Sequence, residues 1–431
     1  MAEPVKTLDS APVESAPPWW HGVTSYQWLV LAVASAGWIF DAFEGQVFNI
    51  TRVDMLRELV GNDPKWVKFW GDLFLAAFLA GGALGGIGFG TLADRFGRKP
   101  VMALTILFYS LFSGLTFFAG SLWHVALLRF LVALGVGGEW AVGAALVAEV
   151  FPPRARARAG AIFHGSSVAG TWIAAGAGLI VAAHWRYAYL ISIAPALLLF
   201  AVQLWVKEPE RWQRAEEKHA QLGSFTALFG KRRWAAHAIF GLLLAAVGLA
   251  TFWSVVVAGQ DLTRELLVRT GWNRPQAIEQ SKIAFGFVQS VGMGLGLFSM
   301  GPFCERMGRR GAFLFMHLCA VAIVPATCYL PHSYVQLLCL LPLYGFFTGG
   351  MHAGYAIYFP ELFPDHLRAT GAGICFNGGR ILAAPMMWVS ASLKEVIDLR
   401  LAVVILSSMY LLGVGLLLFL PETKGRPLPQ D

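Results

Sequence analysis

Apolar runs of about 20 residues, each long enough to cross a hydrocarbon core of about 30 Å as a helix, alternate with short polar segments along almost the whole chain. The tightest break is Gly90-Thr91-Leu92-Ala93-Asp94-Arg95-Phe96-Gly97-Arg98-Lys99-Pro100, a charged, glycine-punctuated segment between the runs Phe69–Leu92 and Val101–Ala119. It predicts a tight hairpin of two membrane spans with its cations at one membrane face. Extended along the chain, the pattern predicts twelve helical spans. They lie roughly at Tyr26–Phe48, Phe69–Leu92, Val101–Ala119, Leu122–Val147, Arg158–Ala183, Trp185–Val206, Trp234–Ala258, Ala277–Phe303, Ala312–Leu330, Tyr334–Phe359, Leu367–Ser390 and Leu401–Leu420. Two connections are long. Asn49 to Lys68 is expected outside the cell, and Lys207 to Arg233 is a basic, polar linker in the middle of the chain.

The two halves repeat each other. Cys304-Glu305-Arg306-Met307-Gly308-Arg309-Arg310-Gly311 echoes the Asp94 segment, displaced by 211 residues. Glu149-Val150-Phe151-Pro152 with Arg156 recurs as Glu361-Leu362-Phe363-Pro364 with Arg368, displaced by 212. Gly137-Gly138 and Gly349-Gly350 keep that offset, and so do Pro209 and Pro421 at the ends of the sixth and twelfth runs. An all-α membrane protein of two pseudo-symmetric six-helix bundles is therefore expected. Its divisions are a disordered cytoplasmic tail (1–25), bundles at 26–206 and 234–420 joined by a linker (207–233), and a second tail (421–431). In such parallel repeats a site lies near the midplane, between the halves.

Composition agrees: 57% of residues are hydrophobic and 14% charged, with mean hydropathy +0.59, whereas ordinary globular chains carry about 25% charged residues. The net charge of +7 does not point to nucleic acid, because the cations cluster beside the spans. Twenty Lys and Arg fall on the segments that share a side with the N-terminus, and ten on the other side. That bias predicts both termini in the cytoplasm of an inner (plasma) membrane protein whose partners are the bilayer, protons and a small molecule. A monomer without cofactor or metal is expected. The five cysteines lie mostly inside apolar runs, with no CxxC or Cys/His cluster, and read as small core residues.

Charges inside spans are costly and mark functional positions. Here they are Asp41, Glu44, Asp72, Arg129, Glu139 and Arg380, with Lys282 nearer an interface. Asp41 and Glu44 are i and i+3 on one helix. Two close acids in low dielectric cannot both ionise cheaply, so the pair suits proton coupling; at a wet outer mouth they would simply be solvated. Glu139, amid Gly135, Gly137, Gly138 and Gly143, is either a proton site or a buried partner for a cation. Arg380, mid-span after Asn377-Gly378-Gly379, can hold a carboxylate bidentately and is the main reason to expect an anionic substrate; the alternative is a lock on Asp41 or Glu139. His164, Trp140, Gln289, His352 and Tyr355, with Trp172 and Trp253, are expected cavity-lining groups, each singly also explicable as packing. Ala80–Gly90 reads as a helix-packing face, not a phosphate loop, since no Lys-Ser/Thr follows at the required spacing.

These segments resemble the major facilitator superfamily. Gly90-x-x-x-Asp94-Arg95-x-Gly97-Arg98-Lys99 is similar to its signature loop, Arg129 to Glu139 to its fourth-span motif, and Glu149-x-Phe-Pro-Pro-x-x-Arg156 and Pro421-Glu-Thr-Lys-Gly425 to segments of sugar and metabolite porters. Trp140 after Gly137-Gly138-Glu139, Asp41-Ala42-Phe43-Glu44 and Val206-Lys207-Glu208-Pro209-Glu210-Arg211-Trp212 resemble the sialate and lactate carriers among the metabolite:proton symporters. Ala42 and Glu44 depart from the Asp-Gly-Phe-Asp pattern. The resemblance implies an alternating-access secondary transporter, not an enzyme. It would move a small monocarboxylate or sialic-acid-like anion by proton symport, with Arg129 in coupling; the alternative is a neutral sugar or polyol symporter. Asp94, Arg95, Arg98, Glu149 and Arg156, with Glu305, Arg309, Glu361 and Arg368, are expected to form gate pairs at the inner face that break on opening.

Overall fold

The computed structural model describes residues 17–181, 184–218 and 221–430. Residues 1–16 of the expected N-terminal tail lie outside the described residues. The first half comprises α1 (Ser25–Val60), α2 (Pro64–Phe96), α3 (Arg98–Phe118), α4 (Leu122–Val150), α5 (Pro153–Gly165 continuing as Ser167–Val181) and α6 (Trp185–Trp205). The second half comprises α7 (Arg232–Arg269), α8 and α9 (the helix Arg274–Tyr329, folded at Gly308), α10 (Tyr334–Glu361), α11 (Arg368–Val396) and α12 (Leu399–Leu416). Among the described residues, nine helices are long and apolar enough to cross a membrane. One of these is the folded α8–α9 pair, and α5 and α11 complete the twelve.

Helix ends explain where the expected boundaries shift. Thr24 and Gln27 form a capping box at the start of α1. Nothing then stops the helix at Phe48. It runs on to Gly61, whose φ of +79° ends it, and Asp63 with Pro64 begins α2 directly. Most of the expected outer loop is thus helix. The 36 residues of α1 extend about 54 Å, well beyond the hydrocarbon core. Likewise α7 continues past Ala258 to Arg269.

The repeat is visible in matching turns. Gly97 and Gly308 both have positive φ, +101° and +81°. Beyond each, a carboxylate caps the backbone of the next helix. Glu208 accepts from Arg98 N and Lys99 N, both at 2.8 Å, and Glu422 from Arg309 N at 2.9 Å and Arg310 N at 3.0 Å. Burial opposes the Glu422 charge, but four backbone N–H donors outweigh it and hold that carboxyl below its usual range. The equivalent residues here are therefore Glu208 and Glu422, 214 apart, although Pro209 and Pro421 align at 212 in sequence. The linker is not a loose tether. It forms helices Glu210–Glu217 and Phe225–Gly230, and Trp212 Nε1 donates to the Asp94 carbonyl at 2.6 Å.

The glycine run of α2 has two working faces. A Cβ at Gly81 or Gly85 would strike the α4 backbone, at Phe130 O (2.5 Å) and Leu134 O (2.0 Å). Gly82, Gly86 and Gly90 instead meet Arg380, Asn377 and Ala369 of α11 in the other half. Small residues let both helices approach closely, which is how helices associate where no hydrophobic effect drives them together. Gly137→Ala, whose new methyl would lie 1.9 Å from Gly82 O, is expected to destabilise the detergent-solubilised protein by about 1–3 kcal/mol. Gly88→Ala, with nothing within 4 Å, should leave its thermal melt within about 0.5 kcal/mol of wild type.

Candidate functional site

The three acids of the first half have different surroundings. Glu44 pairs with Arg129 of α4 at 2.8 Å and accepts from Ser113 Oγ of α3 at 2.6 Å. The Arg129 guanidinium also lies between the Phe48 and Phe78 rings, 4.3 and 4.5 Å from their centroids. The expected Asp41–Glu44 carboxylate pair is not formed, because Glu44 is turned to its cation. Asp41 is buried, and neither of its oxygens has a hydrogen-bond partner among the described residues. Glu139 is fully buried. Its Oε2 accepts from Thr105 Oγ1 at 2.7 Å. Its Oε1 is unpaired among the described residues and faces Gly37, where a Cβ would lie 2.3 Å away.

A cavity of about 260 Å³ lies between the halves. Asp41, Arg129, His164, His352, Arg380 and Trp253 line it, as sequence reasoning expected. Its walls are largely aromatic: Trp38, Phe48 and Phe78 from the first half, Phe252 and Phe376 from the second. His164 Nδ1 accepts from Trp140 Nε1 at 3.0 Å. Indole only donates, so a neutral His164 keeps its proton on Nε2. His352 sets Nδ1 2.9 Å from Gly349 O and Nε2 3.2 Å from Gly248 O. The Arg380 guanidinium lies 5.5 Å from the Phe376 centroid and against Gly82. Among the described residues it forms no ion pair within 4.0 Å, although Asp41 is within electrostatic reach. A groove of about 590 Å³ between α2 and α11, bordered by Lys68 and Asp72, reaches Arg380 from the side of the α1–α2 turn.

Four expected substrate contacts do not line this cavity. Trp140 is buried beneath it, stacked on Phe376 at 3.9 Å. Asn377 donates to Gly137 O at 3.2 Å, Tyr355 to Leu244 O at 3.2 Å and Gln289 to Val256 O at 2.7 Å. In each case a glycine of an adjacent helix, Gly86, Gly248 or Gly259, leaves room for the side chain to reach backbone instead. Trp172 is 45% exposed and does not line the cavity. Gln46, Asn49, Ser167 and Thr171 do line it and were not anticipated. Their signal was present: His164-x-x-Ser167-x-x-x-Thr171 is a polar stripe at helical spacing, and Gln46 and Asn49 continue the polar side of α1 beyond Asp41.

Away from the α1–α2 turn, the cavity is closed by a network of buried ions. Arg98 pairs with Asp94 (2.7 Å) and bidentately with Glu149 (2.7 and 3.2 Å). Arg368 of the second half reaches the same Glu149 at 2.8 Å. Asp94 accepts from Ala369 N (3.1 Å), Thr370 N (2.8 Å) and Thr370 Oγ1 (2.5 Å), and so caps α11 across the halves. The mirror set is weaker. Arg309 holds Glu361 at 2.7 and 2.8 Å, but Arg156 stands 4.0 Å from Glu361, and Glu305 pairs with the partly exposed Arg158 at 2.7 Å. Arg95 is exposed and forms no ion pair among the described residues.

Comparison with known proteins fits this arrangement. The model of the Major Facilitator Superfamily matches residues 70–272, and that of the family "Sugar (and other) transporter" matches residues 241–429. The chain belongs to the major facilitator superfamily. The chain is similar to a probable 4-methylmuconolactone transporter of Cupriavidus pinatubonensis, 29% identical over 94% of this chain and 93% of its own. The sialic acid transporter NanX of Escherichia coli is 27% identical over 93% of this chain and 96% of its own. Among solved structures, the proton:xylose symporter XylE superposes with a TM-score of 0.71 at 17% identity, covering 94% of this chain and 98% of its own. That last likeness shows the fold alone. Like these superfamily members, the chain is a multi-pass membrane transporter of a small molecule, not an enzyme.

Removing the shared acid leaves Arg98 with Asp94 alone and Arg368 with Asp365 alone, two buried guanidiniums each short of one partner. Glu149→Gln is therefore expected to destabilise the closed network by about 3–5 kcal/mol. Arg95→Ala should change the thermal melt of the purified protein by less than about 0.5 kcal/mol.

Proposed function

We propose that this transporter carries a small carboxylate together with a proton, by alternating access between two rocking halves. The observation that carries this reading is Arg380. Arg98, Arg129, Arg309 and Arg368 each hold a carboxylate within 2.8 Å; Arg380, at the cavity, holds none within 4.0 Å among the described residues. A cation in low dielectric is stabilised by an anion, and a guanidinium presents paired donors to a carboxylate. Asp41 stands nearby. When a substrate carboxylate occupies Arg380 it adds negative charge beside Asp41, so proton and substrate favour each other's binding.

The ring-rich walls favour a planar, unsaturated or aromatic acid. A polyhydroxylated sugar would need more polar partners than Gln46, Asn49, Ser167 and Thr171 offer. Muconolactone and sialic acid, named for two relatives, both carry a carboxylate. The buried ion network closes one end of the cavity, while the α2–α11 groove approaches Arg380 from the other. With the cation-rich end in the cytoplasm, as the lysine and arginine bias favours, this is an outward-open state of a monomer with both termini inside an inner membrane. Asp94, Glu149, Arg368 and their mirror set would separate when the transporter turns inward.

Proteoliposome uptake tests the reading. 4-Methylmuconolactone, cis,cis-muconate, nicotinate, sialic acid and xylose would be compared with and without an imposed pH gradient. At least one acid should show saturable, gradient-stimulated uptake, and Arg380→Ala should weaken its apparent affinity by about 10–100-fold, the loss of one charge-assisted contact. Xylose uptake that survives Arg380→Ala, with no acid transported, would favour a neutral-sugar carrier instead.

A further inference from the structure

One face of α3 carries a hydroxyl at every turn: Thr105, Tyr109 and Ser113, at i, i+4 and i+8. The outer two are engaged with acids. Thr105 donates to Glu139 at 2.7 Å, and Ser113 to Glu44 at 2.6 Å. On α1, which runs in the same direction, Gly37 lies against Glu139 and Glu44 follows seven residues on. The two helices therefore keep register over about 12 Å, with Thr105 level with Gly37 and Ser113 level with Glu44. Four residues above the lower contact, Tyr109 on α3 comes level with Asp41 on α1. Tyr109 is buried and, among the described residues, its hydroxyl has no partner; both Asp41 oxygens and Glu139 Oε1 are likewise unpaired there.

The charged groups around Tyr109 are Asp41 and Glu44 of α1 and Arg129 and Glu139 of α4, with Arg380 of α11 beyond Asp41. Arg129 is committed to Glu44. Asp41 is the one acid of the three that also lines the central cavity; Glu139, Thr105 and Tyr109 lie behind it.

We propose that Tyr109 is the proton-passing rung between Asp41 and Glu139, so that the coupling proton leaves the cavity through the interior of the first half. The inference rests on the proton-coupled reading of Asp41 given above. In the step, the O–H bond of the Asp41 carboxylic acid breaks and its proton goes to Tyr109 Oη. The phenolic proton passes to Glu139 Oε1, and the tyrosine ends neutral as it began. Thr105 positions Glu139 by holding its other oxygen. Neither link is a hydrogen bond in the present conformation, so the step requires a movement of α1 or a bridging water at each.

Tyr109→Phe and Thr105→Val keep shape and remove one hydroxyl each. In proteoliposomes with labelled cis,cis-muconate, nicotinate and 4-methylmuconolactone as probes, counterflow needs no net proton movement and reports folding and binding. Both variants are expected to keep counterflow within about twofold of wild type and to lose gradient-driven accumulation by about tenfold or more. Gradient-driven accumulation in Tyr109→Phe equal to that of a coupled wild type would overturn the relay and leave the proton-coupled reading standing. A wild type that ignores the pH gradient for all three probes would overturn both.

Discussion

An ionised side chain inside a membrane protein must be compensated, and that constraint organises this molecule. Glu149 illustrates it. One carboxylate meets Arg98 of its own half and Arg368 of the other, so a single buried acid ties the two halves together. Asp94 adds to this by capping the first turn of α11 across the same seam. A contact that needs both halves is also one that rocking can break. In the proposed alternating access, closure of the cavity and its reopening would rest on the same few buried ions.

The pseudo-symmetry is functional as well as architectural. Arg98 and Arg309 hold their acids in the same bidentate way, and Gly97 and Gly308 turn the chain identically beneath capping glutamates. The cross-half contacts differ. Arg368 makes a full ion pair where Arg156 stands at 4.0 Å, and Arg158–Glu305 is partly exposed. One seam is therefore held by a dry, multiply bonded network, and the other by a long buried pair, Arg156–Glu361, and a partly exposed one, of the kind that contributes little. The chemistry is asymmetric too. The buried acids Asp41, Glu44 and Glu139 lie in the first half, and the unpaired cation Arg380 in the second. Proton and anion would be held on opposite sides of one cavity, which ties their occupancy to the relative position of the halves.

Glycine placement does the packing. Gly81 and Gly85 bring α2 onto α4, and Gly82, Gly86 and Gly90 bring it onto α11, from one run of small residues. The same closeness redirects polar side chains. Asn377, Tyr355 and Gln289 find backbone carbonyls next to glycines and so leave the cavity surface.

The sequence by itself determined the class of molecule. Apolar runs of membrane-spanning length, the repeat at 211–212 residues and the sparse intramembrane charges are local properties of the chain, and hydrocarbon tolerates few other solutions. It also nominated the candidate residues, because a charge in a span is rare enough to stand out. Their pairing was a different matter. Asp41 and Glu44 are three residues apart, yet Glu44 is claimed by Arg129 from another helix and Asp41 is left alone. Arg95 sits within the signature loop, yet points to solvent, because one turn of α2 presents Asp94 and Arg95 to opposite surroundings. Which acid meets which cation, and which polar tip reaches the cavity rather than a bared carbonyl, depends on helix rotation and separation. Those are fixed by packing between segments tens to hundreds of residues apart, and only the tertiary structure decided them.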